Sequence, residues 1–135
     1  MKDLKVFIAD DVNEDKLAPL IEAGFNVVKE TKLSPEELME RLKDADGVIV
    51  RSATKITADI MDKAEKLRVI GRAGVGVDNI DVKAATERGI VVMNAPDGNT
   101  ITTAEHTFAI LVSLARNVPQ AHSKLQSGIW DNKSF

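Results

Sequence analysis

Through the first hundred residues, short apolar runs alternate with segments whose apolar residues recur at helical spacing. Residues 4–9, Leu-Lys-Val-Phe-Ile-Ala, predict a buried strand. Asp10, Asp11 and Asn13 follow as candidate caps, Leu17, Leu20 and Ile21 share a helical face, and Gly24 supplies a stop. Residues 25–28 predict a second strand. Ser34-Pro35-Glu36-Glu37 then opens a helix. The serine oxygen can accept from a free amide, proline suits the first position, and acids favour the positive end of the helix dipole. Leu38, Leu42 and Ala45 carry that helix to Gly47. Residues 47–50 predict a third strand, which runs into Arg51-Ser52-Ala53-Thr54. Thr57 is expected to cap a third helix through Lys66, with Ile60, Met61 and Ala64 inward. Residues 68–71 and 90–93 predict two more strands, flanking a short helix over 81–88 that Gly89 closes.

Strands that alternate with helices build a parallel sheet with helices on both faces and right-handed crossovers. The expected fold is α/β and flavodoxin-like, with strand order 2-1-3-4-5. Ligands in such sheets bind beyond the carboxyl ends of the strands. The loops at Asp10, Arg51, Arg72 and Asn94 all leave that edge.

Beyond residue 99 the pattern changes. Thr102 or Thr103 is expected to cap a long helix to about Asn117, apolar nearly all round over 108–115. Such a helix must be buried on more than one side, and the sheet unit can cover one only. Its remaining apolar side should drive dimerisation through residues 102–117. Pro119 breaks it, a more polar helix follows over 120–127, and Trp130 is expected to anchor packing. The expected division is a domain over 1–99 and a long helix with a tail over 100–135.

Composition narrows the possibilities. Hydrophobic residues make up 44% of the 135 and charged residues 29%, as in soluble globular chains. A net charge of −3 argues against nucleic acid or an anionic membrane as the main partner, while leaving room for a local cationic pocket. With no cysteine there is no disulfide or thiolate chemistry. The N-terminus has no signal-peptide pattern, and the run over 108–115 is far short of a membrane span, so the cytoplasm is expected.

Candidate chemistry centres on Arg68-Val-Ile-Gly71-Arg72-Ala-Gly74-Val75-Gly76-Val-Asp78-Asn79-Ile-Asp81. Strand, glycine turn and helix start make a ligand loop, because glycines admit close backbone approach and free amides attract anions. With Arg72 inside it, the loop is expected to hold a carboxylate. As a dinucleotide fingerprint it fails: Gly74 and Gly76 fit, but Asn79 stands at the third glycine's place and Asp97 falls in a turn. The plainer alternative is a glycine turn needed only for packing. Arg51, followed by Ser52 and Thr54, suits a phosphate or carboxylate clamp, against the alternative of a solvated strand-end arginine.

Asp10-Asp11 could hold magnesium as in phospho-receiver domains. The third strand lacks the acceptor aspartate, however, and Asn94-Ala95-Pro96 stands where a lysine is needed, so these acids are expected to cap a helix. His106 and His122 have no metal-ligand spacing, and no metal site or Ser-His-Asp set is expected.

Taken together, Val50-Arg51-Ser52-Ala53-Thr54-Lys55, Gly71-Arg72-Ala73-Gly74-Val75-Gly76-Val77-Asp78-Asn79, Asn94-Ala95-Pro96-Asp97-Gly98-Asn99 and Ala104-Glu105 resemble the D-isomer-specific 2-hydroxyacid dehydrogenases. The resemblance covers essentially the whole chain and is nearest to members that oxidise 3-phosphoglycerate with NAD on the way to serine. It implies a substrate-binding domain. It places Arg51 and Arg72 near the substrate, with its phosphate end as the target, and the backbone of Gly74, Val75 and Gly76 at its carboxylate; Ser52 is expected to bind substrate as well. It also places Val75 against the nicotinamide end of NAD and Asn99 beside the same cleft, with the long helix joining a second domain and a dimer partner. Family members carry the catalytic Arg, Glu and His in a Rossmann domain. The expectation is therefore that this domain lies beyond residue 135, that neither histidine here is catalytic, and that these residues alone neither turn over nor hold NAD. Relatives place an arginine two residues after the tryptophan; here Asn132 stands there, with Lys133 as a substitute. The rival readings are a phospho-receiver-like signalling domain and an inert flavodoxin-like module.

Overall fold

A computed structural model of the chain describes residues 4–131 and 133–135. In chain order the elements are β1 (Lys5–Ile8), a 3-10 turn (Glu14–Lys16), α1 (Ala18–Glu22), β2 (Asn26–Lys29), α2 (Pro35–Leu42) and β3 (Gly47–Val50). These are followed by α3 (Ala58–Lys63), β4 (Val69–Arg72), α4 (Val82–Glu87), β5 (Val91–Asn94), α5 (Thr100–Ala115) and α6 (Val118–Gln126). The chain divides into two compact units, Met1–Gly98 and Asn99–Phe135.

The first unit is the expected parallel sheet, in the order β2-β1-β3-β4-β5. Alternate residues of each strand face opposite sides. Phe7, Val48, Val50 and Ile70 face Leu38 and Leu42 of α2, Ile60 and Met61 of α3, and Ala84 and Ala85 of α4, and all of these are buried. The other face is smaller: Val6 and Ile8 pack with Leu17, Leu20 and Phe25, on the side of α1. Each face carries helices, unequally. Over β4 and β5 the α1 side stays open, with Val91 and Met93 each 58% exposed, and a hollow of about 430 Å³ there is lined by Val69, Gly71 and Met93 among others.

Local chemistry explains the helix starts. Ser34 Oγ accepts from Glu37 N at 3.2 Å while the Glu37 carboxylate accepts from Ser34 N at 2.8 Å, a reciprocal capping box. Asp81 accepts from Ala84 N at 2.9 Å and caps α4. Gly24 and Gly89, at φ of +85° and +69°, end α1 and α4 in the left-handed region that side chains disfavour.

Several expectations need correction. Asp10 and Asp11 cap nothing; Asn13 does, accepting from Asp15 N at 3.1 Å. Thr57 precedes α3 without a side-chain bond, and α3 ends at Lys63 because Ala64 leaves helical geometry. Ile21 is 60% exposed, so α1 buries less than its spacing suggested.

The second unit holds α5 and α6. Asn99, not Thr102 or Thr103, precedes α5, with no side-chain cap. Asn117, left-handed at φ 50°, turns the chain into α6, and Pro119 sits inside the first turn of that helix, where its missing N–H costs nothing. Beyond α6, Gly128 and Ile129 donate back to Leu125 O and Lys124 O, each at 3.0 Å. Asp131 accepts from Lys124 Nζ and from the backbone of Lys133 and Ser134, and that hydrogen bond from Lys124 holds its carboxyl well below the usual range. The Lys124 ammonium lies 4.9 Å from the Phe135 ring centre. Within this chain no residue of α5 is buried, and Trp130 is 79% exposed. No helix among the described residues is long and apolar enough to cross a membrane.

Candidate functional site

Sheet register decides which side chains meet at the carboxyl edge. β1 pairs Ile8 with Ile49, β3 pairs Val50 with Arg72, and β4 pairs Arg72 with Asn94. The segments that follow, at Asp10, Arg51, Ala73 and Ala95, therefore leave the sheet side by side. Parallel pairing fixes this, because every strand ends at the same edge.

The glycine loop has a one-sided hydrogen-bond pattern. Ala73 N donates to Val50 O and Gly74 N to Arg72 O, each at 2.8 Å. On the acceptor side, Gly74 O receives Ala95 N at 2.9 Å and Val75 O receives Asn94 Nδ2 at 2.7 Å. The amides of Val75, Gly76 and Val77 have no acceptor among the described residues. Carbonyls tied inward and amides left free make a loop that attracts negative charge. Gly74 N is already engaged, which corrects the expectation that both glycine amides are available. None of Gly71, Gly74 and Gly76 has a positive φ, so the loop's glycines do not serve left-handed geometry. Gly74 serves close approach: the Arg72 guanidinium lies across it, and an added Cβ would stand 1.8 Å from Nη1.

Neither Arg51 nor Arg72 pairs with a carboxylate among the described residues. Arg72 is half-buried, and its Nε is buried with no partner. Arg51 is exposed, and its Nη1 donates to Asp11 O at 3.1 Å. Ser52 is exposed beside it. A cleft of about 630 Å³ adjoins this turn, lined by Asp10, Lys32, Leu38, Thr54 and Lys55 among others. Two guanidinium groups without carboxylate partners and a loop of free amides leave the same sheet edge, donors that suit an acidic ligand.

The turn carrying Arg51 is held by two buried polar residues that sequence reasoning assigned elsewhere. Asp10, 6% exposed, accepts from Arg51 N at 2.6 Å, Thr54 N at 3.2 Å and Thr54 Oγ1 at 2.7 Å. Asn79, 8% exposed, donates from Nδ2 to Arg51 O at 2.7 Å and Thr54 O at 2.6 Å. Asn79 O also accepts from Ile56 N at 2.9 Å. The missed signal at Asn79 was an amide at the place where a dinucleotide loop needs glycine. With its carboxylate bonded to the turn, Asp10 is not a free magnesium ligand, and no acidic or histidine cluster fit for a metal occurs among the described residues. Both observations oppose the phospho-receiver reading.

Asn99 belongs to the second unit, as do His106 and His122, both exposed. The residues gathered at the sheet edge are thus Arg51, Ser52, Arg72, Gly74, Val75 and Gly76.

Known proteins can be set beside this geometry. The sequence model of the D-isomer specific 2-hydroxyacid dehydrogenase catalytic domain matches residues 6–130. The chain is 54% identical over 132 residues to the D-3-phosphoglycerate dehydrogenase of Methanocaldococcus jannaschii, covering 98% of this chain and 25% of that protein. It is 49% identical over 131 residues to the human D-3-phosphoglycerate dehydrogenase, covering 97% of this chain and 25% of that protein. The crystal structure of the NAD+-bound 3-phosphoglycerate dehydrogenase of Entamoeba histolytica superposes with a TM-score of 0.71 at 37% identity, over 82% of this chain and 39% of that one. The chain spans about a quarter of the length of the curated relatives it matches. Parallel-sheet order, an amide-lined glycine loop and these matches agree, and the chain belongs to the D-isomer-specific 2-hydroxyacid dehydrogenase family.

Proposed function

We propose that this chain is the substrate-binding part of an NAD-dependent 2-hydroxyacid dehydrogenase whose substrate is 3-phosphoglycerate, oxidised at its 2-hydroxyl on the way to serine. The observation that carries the reading is the set of unengaged amides at Val75, Gly76 and Val77, on the same sheet edge as Arg51 and Arg72, neither of which pairs with a carboxylate among the described residues. A carboxylate accepting from the backbone around Gly74, Val75 and Gly76 is held by fixed dipoles that need no reorganisation. Arg51, Arg72 and the Ser52 hydroxyl then take the phosphate end. Anchoring both ends orients the carbon between them, which is this chain's contribution to rate.

The residues present do not fit the pyrophosphate of NAD. The third glycine of a dinucleotide loop is Asn79, whose buried side chain is committed to Arg51 O and Thr54 O. NAD would be held by a Rossmann domain in the longer protein, touching this chain at Val75. Hydride acceptance is the chemistry that NAD supplies; the residues here bind, orient and exclude. The family's catalytic Arg, Glu and His are expected in that Rossmann domain, so these residues alone are expected not to turn over.

Titrating 3-phosphoglycerate while following the amide resonances of residues 72–77 tests the reading. Saturable shifts centred on Val75 and Gly76 support it. A spectrum unmoved by 3-phosphoglycerate and by simpler 2-hydroxy acids would sink it, and oxidation of 3-phosphoglycerate with NAD by these residues alone at an enzyme-like rate would overturn the division of labour.

A further inference from the structure

We propose that Asn79 and Asp10 are positioning residues that lock the Arg51 turn to the glycine loop, so that the two halves of the anion site form one rigid body. This rests on the substrate-binding reading above and deepens it.

The turn over 51–54 is held by hydrogen bonds alone. It leaves the sheet edge exposed at Arg51, Ser52 and Ala53, and nothing apolar in it reaches the core. Its order must come from hydrogen bonds. From the amide side, both oxygens of Asp10 are used: Oδ2 accepts from Arg51 N and Thr54 N, and Oδ1 accepts from Thr54 Oγ1. From the carbonyl side, Asn79 Nδ2 donates to Arg51 O and Thr54 O. Both backbone polar groups of Arg51 are therefore fixed, each by a different buried side chain. Bonds to a buried carboxylate are among the stronger ones available to a turn.

Asn79 also belongs to the segment that carries the free amides. Its backbone oxygen takes Ile56 N, Asp81 N returns to Ile56 O, each at 2.9 Å, and Ile56 bridges Ile80 in parallel. One residue thus ties the Arg51 turn to the end of the glycine loop through side chain and main chain at once. Asn94, donating to Val75 O, holds that loop from the opposite side. A ligand spanning Arg51 and Val75 meets a preset distance rather than two independent loops, and preorganisation of this kind raises affinity by removing ordering costs.

At Asn79, only an amide of this length offers two hydrogens to two carbonyl oxygens. In Asn79→Asp a carboxylate of the same shape would face Arg51 O and Thr54 O with acceptors only, and the turn would be pushed away. In Asp10→Ala all three donors, Arg51 N, Thr54 N and Thr54 Oγ1, would lose their acceptor.

The test uses the 135-residue chain, its two variants and a control, Asp62→Asn. The control breaks the Arg88 pair between α3 and α4, far from these loops. The first readout needs no ligand: hydrogen exchange at the Arg51 and Thr54 amides should accelerate at least about tenfold in both variants, the loss of one well-made bond, while Val48 and Ile70 stay protected. The second is the dissociation constant for 3-phosphoglycerate, measured well below every melting temperature, which should rise by about tenfold in Asn79→Asp and Asp10→Ala but not in the control. Unchanged exchange at Arg51 overturns the proposal. So does faster exchange with unaltered affinity, or an equal loss of affinity in the control, which would mark a merely structural effect. A wild-type chain that binds no 2-hydroxy acid overturns the substrate-binding reading, and this one with it, and is distinguished from the other failures by appearing before any substitution is made.

Discussion

The guanidinium of Arg72 lies so close over Gly74 that a methyl group at residue 74 would stand 1.8 Å from Nη1 and 2.7 Å from Cζ. Glycine at 74 is thus a seat for the arginine two residues before it, not a source of left-handed geometry. The atoms in conflict are the far end of a flexible side chain, so Gly74→Ala should displace Arg72 rather than unfold the loop. The expected change in unfolding free energy is within about 1 kcal/mol. Affinity for 3-phosphoglycerate should fall by about tenfold, one charged hydrogen bond's worth. Chemical denaturation and a binding titration on the same sample check both halves; normal affinity would remove Arg72 from the site.

Gly47 answers to a different constraint. It lies between Val6 and Val69 across the sheet, and an added Cβ would be 3.0 Å from Val69 Cγ1. Valine is stiff at χ1 and cannot swing aside as an arginine can. Gly47→Ala should cost about 1 kcal/mol net, since overpacking outweighs the entropy gained by restricting the unfolded chain. A urea midpoint equal to or above the wild type would contradict the crowding argument.

At the start of α2, Ser34→Ala removes the Glu37 N bond and should lose about 1 kcal/mol, the ordinary value of an N-cap. Glu37 supplies a pH signature. Its bond from the Ser34 backbone amide, then that with the Ser34 side chain, holds its carboxyl below the usual range. A lowered folded value means the contribution is complete above the ordinary glutamate value of about 4.3 and fades as pH falls from there through the folded value. An NMR titration of Glu37 should show an upward move toward the ordinary value in Ser34→Ala.

Ile101, Phe108 and Leu111 lie on one helical face of α5 at exposures of 73, 66 and 60%. We expect this face to pair two copies of the protein. Sedimentation should give a concentration-dependent dimer, and Leu111→Asp should yield a monomer with unchanged sheet signals. A monomer at millimolar wild-type concentration would count against the pairing.

Much of this was legible from residue order alone. Apolar runs of strand length between capped helical segments are local patterns, so the sheet, its order and the cap at Ser34 could be read directly. The glycine loop and Arg51 stood out because glycines admit close backbone approach and a strand-end arginine suits an anion, although packing and solvation account for the same residue types. Tertiary structure alone decided what Asp10, Asn79 and Asn94 do. Their partners lie many positions away, 41 for Asp10 to Arg51 and 28 for Asn79 to Arg51, and a short polar side chain near a loop suits a cap as well as a clamp. Only parallel register brings the loop ends together, and only then does the buried amide of Asn79 face two carbonyls that no helix or strand of its own could satisfy.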